Sequence, residues 1–113
     1  MTLRMSILAA LTVGLVGCGG GNFCDRSSPC PNDTMSTPAQ RDQCKQTLQA
    51  NANSACYAES LAYLNCLADQ RTCGSNGQTD PVLTGTKVTN NCTMQTVAAQ
   101  TCCTKNPTAT ACN

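Results

Sequence analysis

Ser54-Ala55-Cys56-Tyr57-Ala58-Glu59-Ser60-Leu61-Ala62-Tyr63-Leu64-Asn65-Cys66-Leu67-Ala68-Asp69-Gln70-Arg71 is the stretch whose reading decides the fold. Tyr57, Leu61, Leu64 and Ala68 recur at steps of three and four, which on a helix makes one apolar stripe. Cys56, Tyr63, Cys66 and Leu67 widen that stripe. The spacing predicts a helix over about 54–71 whose stripe belongs to the core. Arg71 in the last turn and Gly74 just beyond it suit a helix end, which Cys73 is placed to staple.

Upstream, Thr37-Pro38-Ala39-Gln40 is a helix start: Thr37 can cap, Pro38 suits the first helical position, and Gln40 completes a capping box. This predicts a helix over about 38–50, with Cys44 and Leu48 on one face and Arg41, Lys45 and Gln49 opposite. Asn51-Ala52-Asn53-Ser54 then offers a break and a new cap at Ser54, or a bend within a single long helix. Downstream, Asn90 or Asn91 can cap a further helix over about 92–104, with Met94, Val97, Ala98, Thr101 and Cys102 as its inner face and Pro107 after its end. Gly74–Asn90 reads as a polar connector, with Asn76-Gly77, Asp80-Pro81 and Gly85 as turn signals; Val82-Leu83 and Val88 are its docking residues. As the longest irregular stretch, it is the expected place for a recognition loop. Phe23–Ser36 lacks periodicity and reads as an irregular arm. The fold class is therefore small, mainly α and disulfide-rich, with two or three helices and irregular arms.

The core is thin. Beyond residue 22 the large aliphatic and phenylalanine side chains are Phe23, Leu48, Leu61, Leu64, Leu67, Val82, Leu83, Val88 and Val97, and the other aromatics are Tyr57 and Tyr63. So little apolar area cannot offset chain entropy without help. The chain has eleven cysteines and no histidine. Disulfides are the usual remedy in small exported domains, each typically contributing about 2–4 kcal/mol. An oxidising compartment follows.

The first residues explain how the chain would reach it. Arg4 precedes Met5–Val16, a mostly apolar run shorter than the roughly 20 residues a membrane span needs. That is the plan of a secretory leader. Leu15-Val16-Gly17-Cys18 closes it and resembles the lipobox of bacterial lipoproteins. The resemblance implies a signal peptide over 1–17, cleavage before Cys18, and acylation of the Cys18 thiol. Gly19–Asn22 then forms a flexible tether (18–22 with the lipidated residue), and 23–113 the folded domain. Gly19 in place of Asp after the lipidated residue implies the outer membrane as the destination. Parity agrees, since an odd cysteine in an exported chain needs a separate fate. Losing Arg4 with the leader takes the formal net charge from +1 to zero. A neutral domain lacks the basic surface that nucleic acid or an anionic bilayer would select. The expected membrane partner is reached through lipid on Cys18.

The remaining cysteines, Cys24, Cys30, Cys44, Cys56, Cys66, Cys73, Cys92, Cys102, Cys103 and Cys112, are expected in disulfides of open connectivity. Cys24 and Cys30 can bond each other or staple the arm to the helices. The neighbours Cys102 and Cys103 are expected to pair outward, and Cys112 to tie down the tail. Nine residues separate Cys56 from Cys66, and nine separate Cys92 from Cys102. This is similar to the twin C-x9-C helical hairpins, and that resemblance implies Cys56–Cys102 and Cys66–Cys92. As a whole, the chain resembles the short cysteine-rich lipoproteins of Gram-negative envelopes, which bring no catalytic residues with them.

Catalysis has little to use. Histidine is absent, Glu59 is the only glutamate, and Asp25, Asp33, Asp42, Asp69 and Asp80 are scattered. No phosphate loop, nucleophile elbow or C-x-x-C pair occurs. No enzyme activity, cofactor or metal is expected. The sequence points to a non-enzymatic, membrane-anchored envelope lipoprotein with a structural or protein-interaction role and an envelope or extracellular protein partner. The alternative is an inhibitor or toxin-like binding module presenting the 74–90 loop.

Overall fold

The structure is a computed structural model, which describes residues 23–113. The leader, Cys18 and the 18–22 tether lie outside the described residues. The domain is mainly helical, with α1 at Pro38–Asn51, α2 at Tyr57–Asp69, α3 at Pro81–Asn91 and α4 at Thr93–Lys105. A short 3-10 turn, Thr110–Cys112, closes the chain.

The start of α1 is the capping box that Thr37 and Gln40 predict. Gln40 N donates to Thr37 Oγ1 at 3.2 Å, and Thr37 N donates to Gln40 Oε1 at 2.9 Å. The chain breaks after Asn51 rather than bending through it. α2 starts at Tyr57, three residues later than Ser54 suggests. Cys56 occupies the N-cap position in the left-handed region at φ 67°. That conformation costs an L-residue roughly 1–2 kcal/mol, and the bond from Cys56 to Cys102 holds it in place. Ser54 does not cap. Its hydroxyl donates to Ala55 O at 3.0 Å and accepts from Ala111 N at 3.1 Å, which fastens the tail. α2 ends at Asp69, so Arg71 lies just beyond the helix rather than in its last turn.

The expected connector over 74–90 is the main correction to the fold. Its second half is α3. Asp80 caps that helix, its Oδ1 accepting from Val82 N at 2.8 Å and Leu83 N at 2.9 Å, with Pro81 at the first position. Asn90 and Asn91 fall in the last turn of α3 and cap nothing. Cys92 is the joint between α3 and α4. The Thr86, Thr89 and Thr93 hydroxyls each donate to the carbonyl four residues back, at 3.0, 3.0 and 2.8 Å. These bonds occupy polar groups that would otherwise compete with the helix.

α2 and α4 form the closest pair, with α3 and the final turn against them. Tyr57, Leu64 and Ala68 are half-buried and Leu61 is buried, so the predicted stripe does face the core. Of the predicted inner face of α4, Cys102 is half-buried and the other four residues are exposed. Met94 is 83% exposed and Val97 54%, while Cys92, Gln95, Thr96, Ala99, Cys102 and Cys103 point inward or sit half-covered. Two half-cystines bonded to α2 fix the rotation of α4, and the apolar side chains take whichever face is left. Among the described residues the buried set is Cys24, Cys30, Cys56, Leu61, Cys66 and Cys92. Leu61 alone of these is not a half-cystine, so the centre of the domain is largely sulfur. No described helix is long and apolar enough to cross a membrane.

Candidate functional site

Five disulfides bind all ten cysteines between Cys24 and Cys112. Cys56 bonds Cys102 and Cys66 bonds Cys92, the two pairs that the hairpin resemblance implies. Cys24 bonds Cys44 and Cys30 bonds Cys73, so the arm is stapled to the helices and does not close on itself. Cys103 bonds Cys112, so the neighbours Cys102 and Cys103 point to different partners. The Sγ atoms of Cys56, Cys103 and Cys112 lie within 4.8 Å of one another. All three are oxidised, and a disulfide sulfur is not the thiolate that metal binding or nucleophilic attack requires.

Gly74–Asp80, the remaining half of the expected loop, is fastened to the arm. Asn32 N donates to Gly77 O at 2.9 Å, and Asn32 Nδ2 donates to Asn76 O at 2.7 Å. Gly77 is required there: its φ is +75°, and a Cβ would meet Asn32 Nδ2 at 2.6 Å. Asp33 is the polar centre of the junction. Its carboxylate accepts from the Ser28 hydroxyl, the Thr79 hydroxyl, and Thr79 N at 2.7 Å. The Ser28 bond first, then those from Thr79, with a smaller contribution from nearby Arg71, hold the Asp33 carboxyl below the ordinary value of 3.8.

This junction forms one wall of a cleft. The arm, α1 and the segment after α2 enclose two adjoining hollows of about 180 Å³ each, which share Arg26, Ser27, Ser36, Arg41 and Arg71. These are all the arginines of residues 23–113. They come from three different parts of the chain: the arm, the first turns of α1 and the residue after the α2 cap. Arg41 shares a hollow with Cys44. The sequence reading set these two on opposite faces, but residues three apart on a helix are neighbours.

The guanidinium groups differ in how committed they are. Arg26 is bonded to Asp69 and reaches the Asn65 carbonyl and side-chain oxygens at 3.4 Å. Arg41 donates one bond, to Ser36 O at 3.1 Å. The Arg71 guanidinium makes no hydrogen bond or ion pair among the described residues; only its backbone N–H is bonded, to Ala68 O at 3.4 Å. Lys45, next along α1, is paired with Asp25 at 2.8 Å, which takes that acid out of play. The cleft offers three guanidinium groups and directed N–H and O–H donors, set beside the already bonded carboxylates of Asp25 and Asp33. Sequence reasoning missed the cleft because its arginines lie 15 and 30 residues apart and form no motif. A third, more apolar hollow lies between α2, α3 and α4, lined by Tyr63, Val88, Thr93 and Val97.

No family model, curated protein or solved structure matches the chain.

Proposed function

We propose that the chain is a non-enzymatic lipoprotein of the bacterial cell envelope, tethered to the outer membrane through lipid on Cys18. On this reading, its disulfide-clamped helical domain serves in structure or in contact with another envelope or extracellular protein. The observation that carries the anchor is the cysteine pairing. The ten cysteines from Cys24 onward are bonded to one another, so none of them is available to Cys18. The eleventh cysteine is the one that ends an apolar leader in Leu15-Val16-Gly17-Cys18. An acylated thiol needs no disulfide partner, and two or more acyl chains give stable attachment.

The contact role rests on side chains that the fold leaves outside. Met94 on α4 and Val82 and Leu83 on α3 are exposed, and Val97 lines the open hollow between α2, α3 and α4, in a domain with few apolar residues to spare. Metabolic labelling with a clickable palmitate analogue tests the anchor. Wild-type protein and Cys24→Ser should take the label, and Cys18→Ser should not. An unlabelled wild type would overturn the anchor, as would label retained by Cys18→Ser.

A further inference from the structure

We infer that the arginine-lined cleft binds a phosphate group, supplied either as free inorganic phosphate or by the headgroup of an anionic phospholipid.

The charge distribution is the first reason. Residues 23–113 carry equal numbers of acidic and basic side chains, yet every arginine among them lines this one cleft. Two acids, Asp25 and Asp33, also line one hollow, but each is engaged, Asp25 with Lys45 and Asp33 with Ser28 and Thr79, and Asp69 beside it is paired with Arg26. Arg71 and most of the Arg41 fork keep unused donors. A guanidinium stays charged at any physiological pH, and its fork matches the oxygens of an oxyanion.

The second reason is geometric. The donors approach from three separate chain segments, and Ser27, Thr34 and Ser36 add hydroxyls to the lining. A flat carboxylate is satisfied by one fork, whereas a tetrahedral phosphate offers oxygens in several directions and can use donors from opposing walls. The walls are also fixed in advance. Cys24–Cys44 joins the arm to α1, and Cys30–Cys73 joins it to the segment after α2. The binding site therefore needs little ordering when a ligand arrives.

The third reason concerns the source of the phosphate. Phe23 lines one hollow and is five residues after Cys18 in the sequence. If Cys18 is acylated, as proposed above, the cleft is the part of the domain joined most directly to the bilayer. A headgroup phosphate is then the nearest anion. Binding of free phosphate does not depend on acylation, so the two proposals can fail separately.

The test uses the oxidised full chain at constant ionic strength set with chloride, observing the arginine Nε–Hε signals by 15N NMR. Inorganic phosphate is titrated in one arm. Dihexanoyl phosphatidylglycerol, kept below its micellar concentration, is titrated in the other. The expected result is saturable shifts at Arg41 and Arg71 with at least one probe, with the tighter probe identifying the source. Arg41→Gln and Arg71→Gln should each weaken binding by about tenfold, the loss of a charge-assisted contact. Lys105→Gln, remote from the cleft, should bind like wild type. Intact mass under non-reducing conditions confirms that each variant keeps its disulfides. Shifts that stay linear in concentration for both probes would overturn the inference, as would saturable binding that Arg71→Gln leaves unchanged.

Discussion

The sulfur of Cys92, a residue with no exposed surface, is bonded to Cys66 on the neighbouring helix. The bond occupies the place that packed leucines hold in a larger domain. Around it, Leu61 is the sole buried aliphatic side chain among the described residues. The cohesion of the fold therefore resides in cross-links, and removing different cross-links should have unequal effects.

Cys66–Cys92 closes a separation of 26 residues at the centre, while Cys103–Cys112 closes one of 9 at the rim between half-buried residues. The longer closed loop restricts the unfolded chain more. The double variant Cys66→Ala/Cys92→Ala should lose about 2–5 kcal/mol, the usual cost of deleting a native disulfide from a small domain. Cys103→Ala/Cys112→Ala should lose less. Urea denaturation of the two variants measures both. Equal losses would show that the central sulfur pair has no special place in the core.

Asp33 predicts an acid limb to the stability curve. Its carboxyl is held below the ordinary 3.8 in the folded state, so its contribution is present above that value and is lost as the pH falls through the lower, folded one. Asp33→Asn should be less stable than wild type at neutral pH. Between about pH 5 and pH 2 it should lose less stability than wild type does. Denaturation midpoints across that range check the sign. A wild type and variant with parallel curves would mean that the Ser28 and Thr79 bonds are not formed in solution.

The sulfurs of Cys56, Cys103 and Cys112, within 4.8 Å of one another, predict exchange when one bond is opened. Replacing Cys102 by Ser leaves Cys56 as a thiol beside the Cys103–Cys112 bond. As a thiolate it can attack either sulfur of that bond, expelling the other as the new thiolate. Peptide mapping of Cys102→Ser, trapped in acid, should find Cys56–Cys103 or Cys56–Cys112 beside the native pair. A homogeneous Cys103–Cys112 bond with Cys56 wholly free would contradict the proximity.

The parts legible in the sequence are those governed by local chemistry. Thr37 and Gln40 announced the start of α1, the period of Tyr57, Leu61 and Leu64 announced α2, and the recurrence of Met94, Val97, Ala98 and Thr101 with Pro107 beyond announced α4. α3 was hidden although Asp80-Pro81 is a cap followed by a first-turn proline. Gly85 and the β-branched Val82, Thr84, Thr86, Val88 and Thr89 argue against a helix by propensity, and tertiary context overrode them. The rotation of α4 was misread because apolarity was taken as the guide to its inner face. Its two bonds to α2 set that face instead, leaving Met94 in solvent. The cleft was invisible for a related reason: Arg26, Arg41 and Arg71 are brought together only by the cross-links Cys24–Cys44 and Cys30–Cys73.

The central claim is that ten cysteines hold the domain and the eleventh holds the membrane. Intact and peptide mass spectrometry of the protein from native membranes, alkylated without reduction, tests it most directly. The account predicts an amino-terminal Cys18 carrying diacylglycerol, five disulfides between Cys24 and Cys112, and no alkylated thiol. A Cys18 joined to another cysteine, or found as an unmodified thiol on an intact leader while the other ten remain paired, would contradict it.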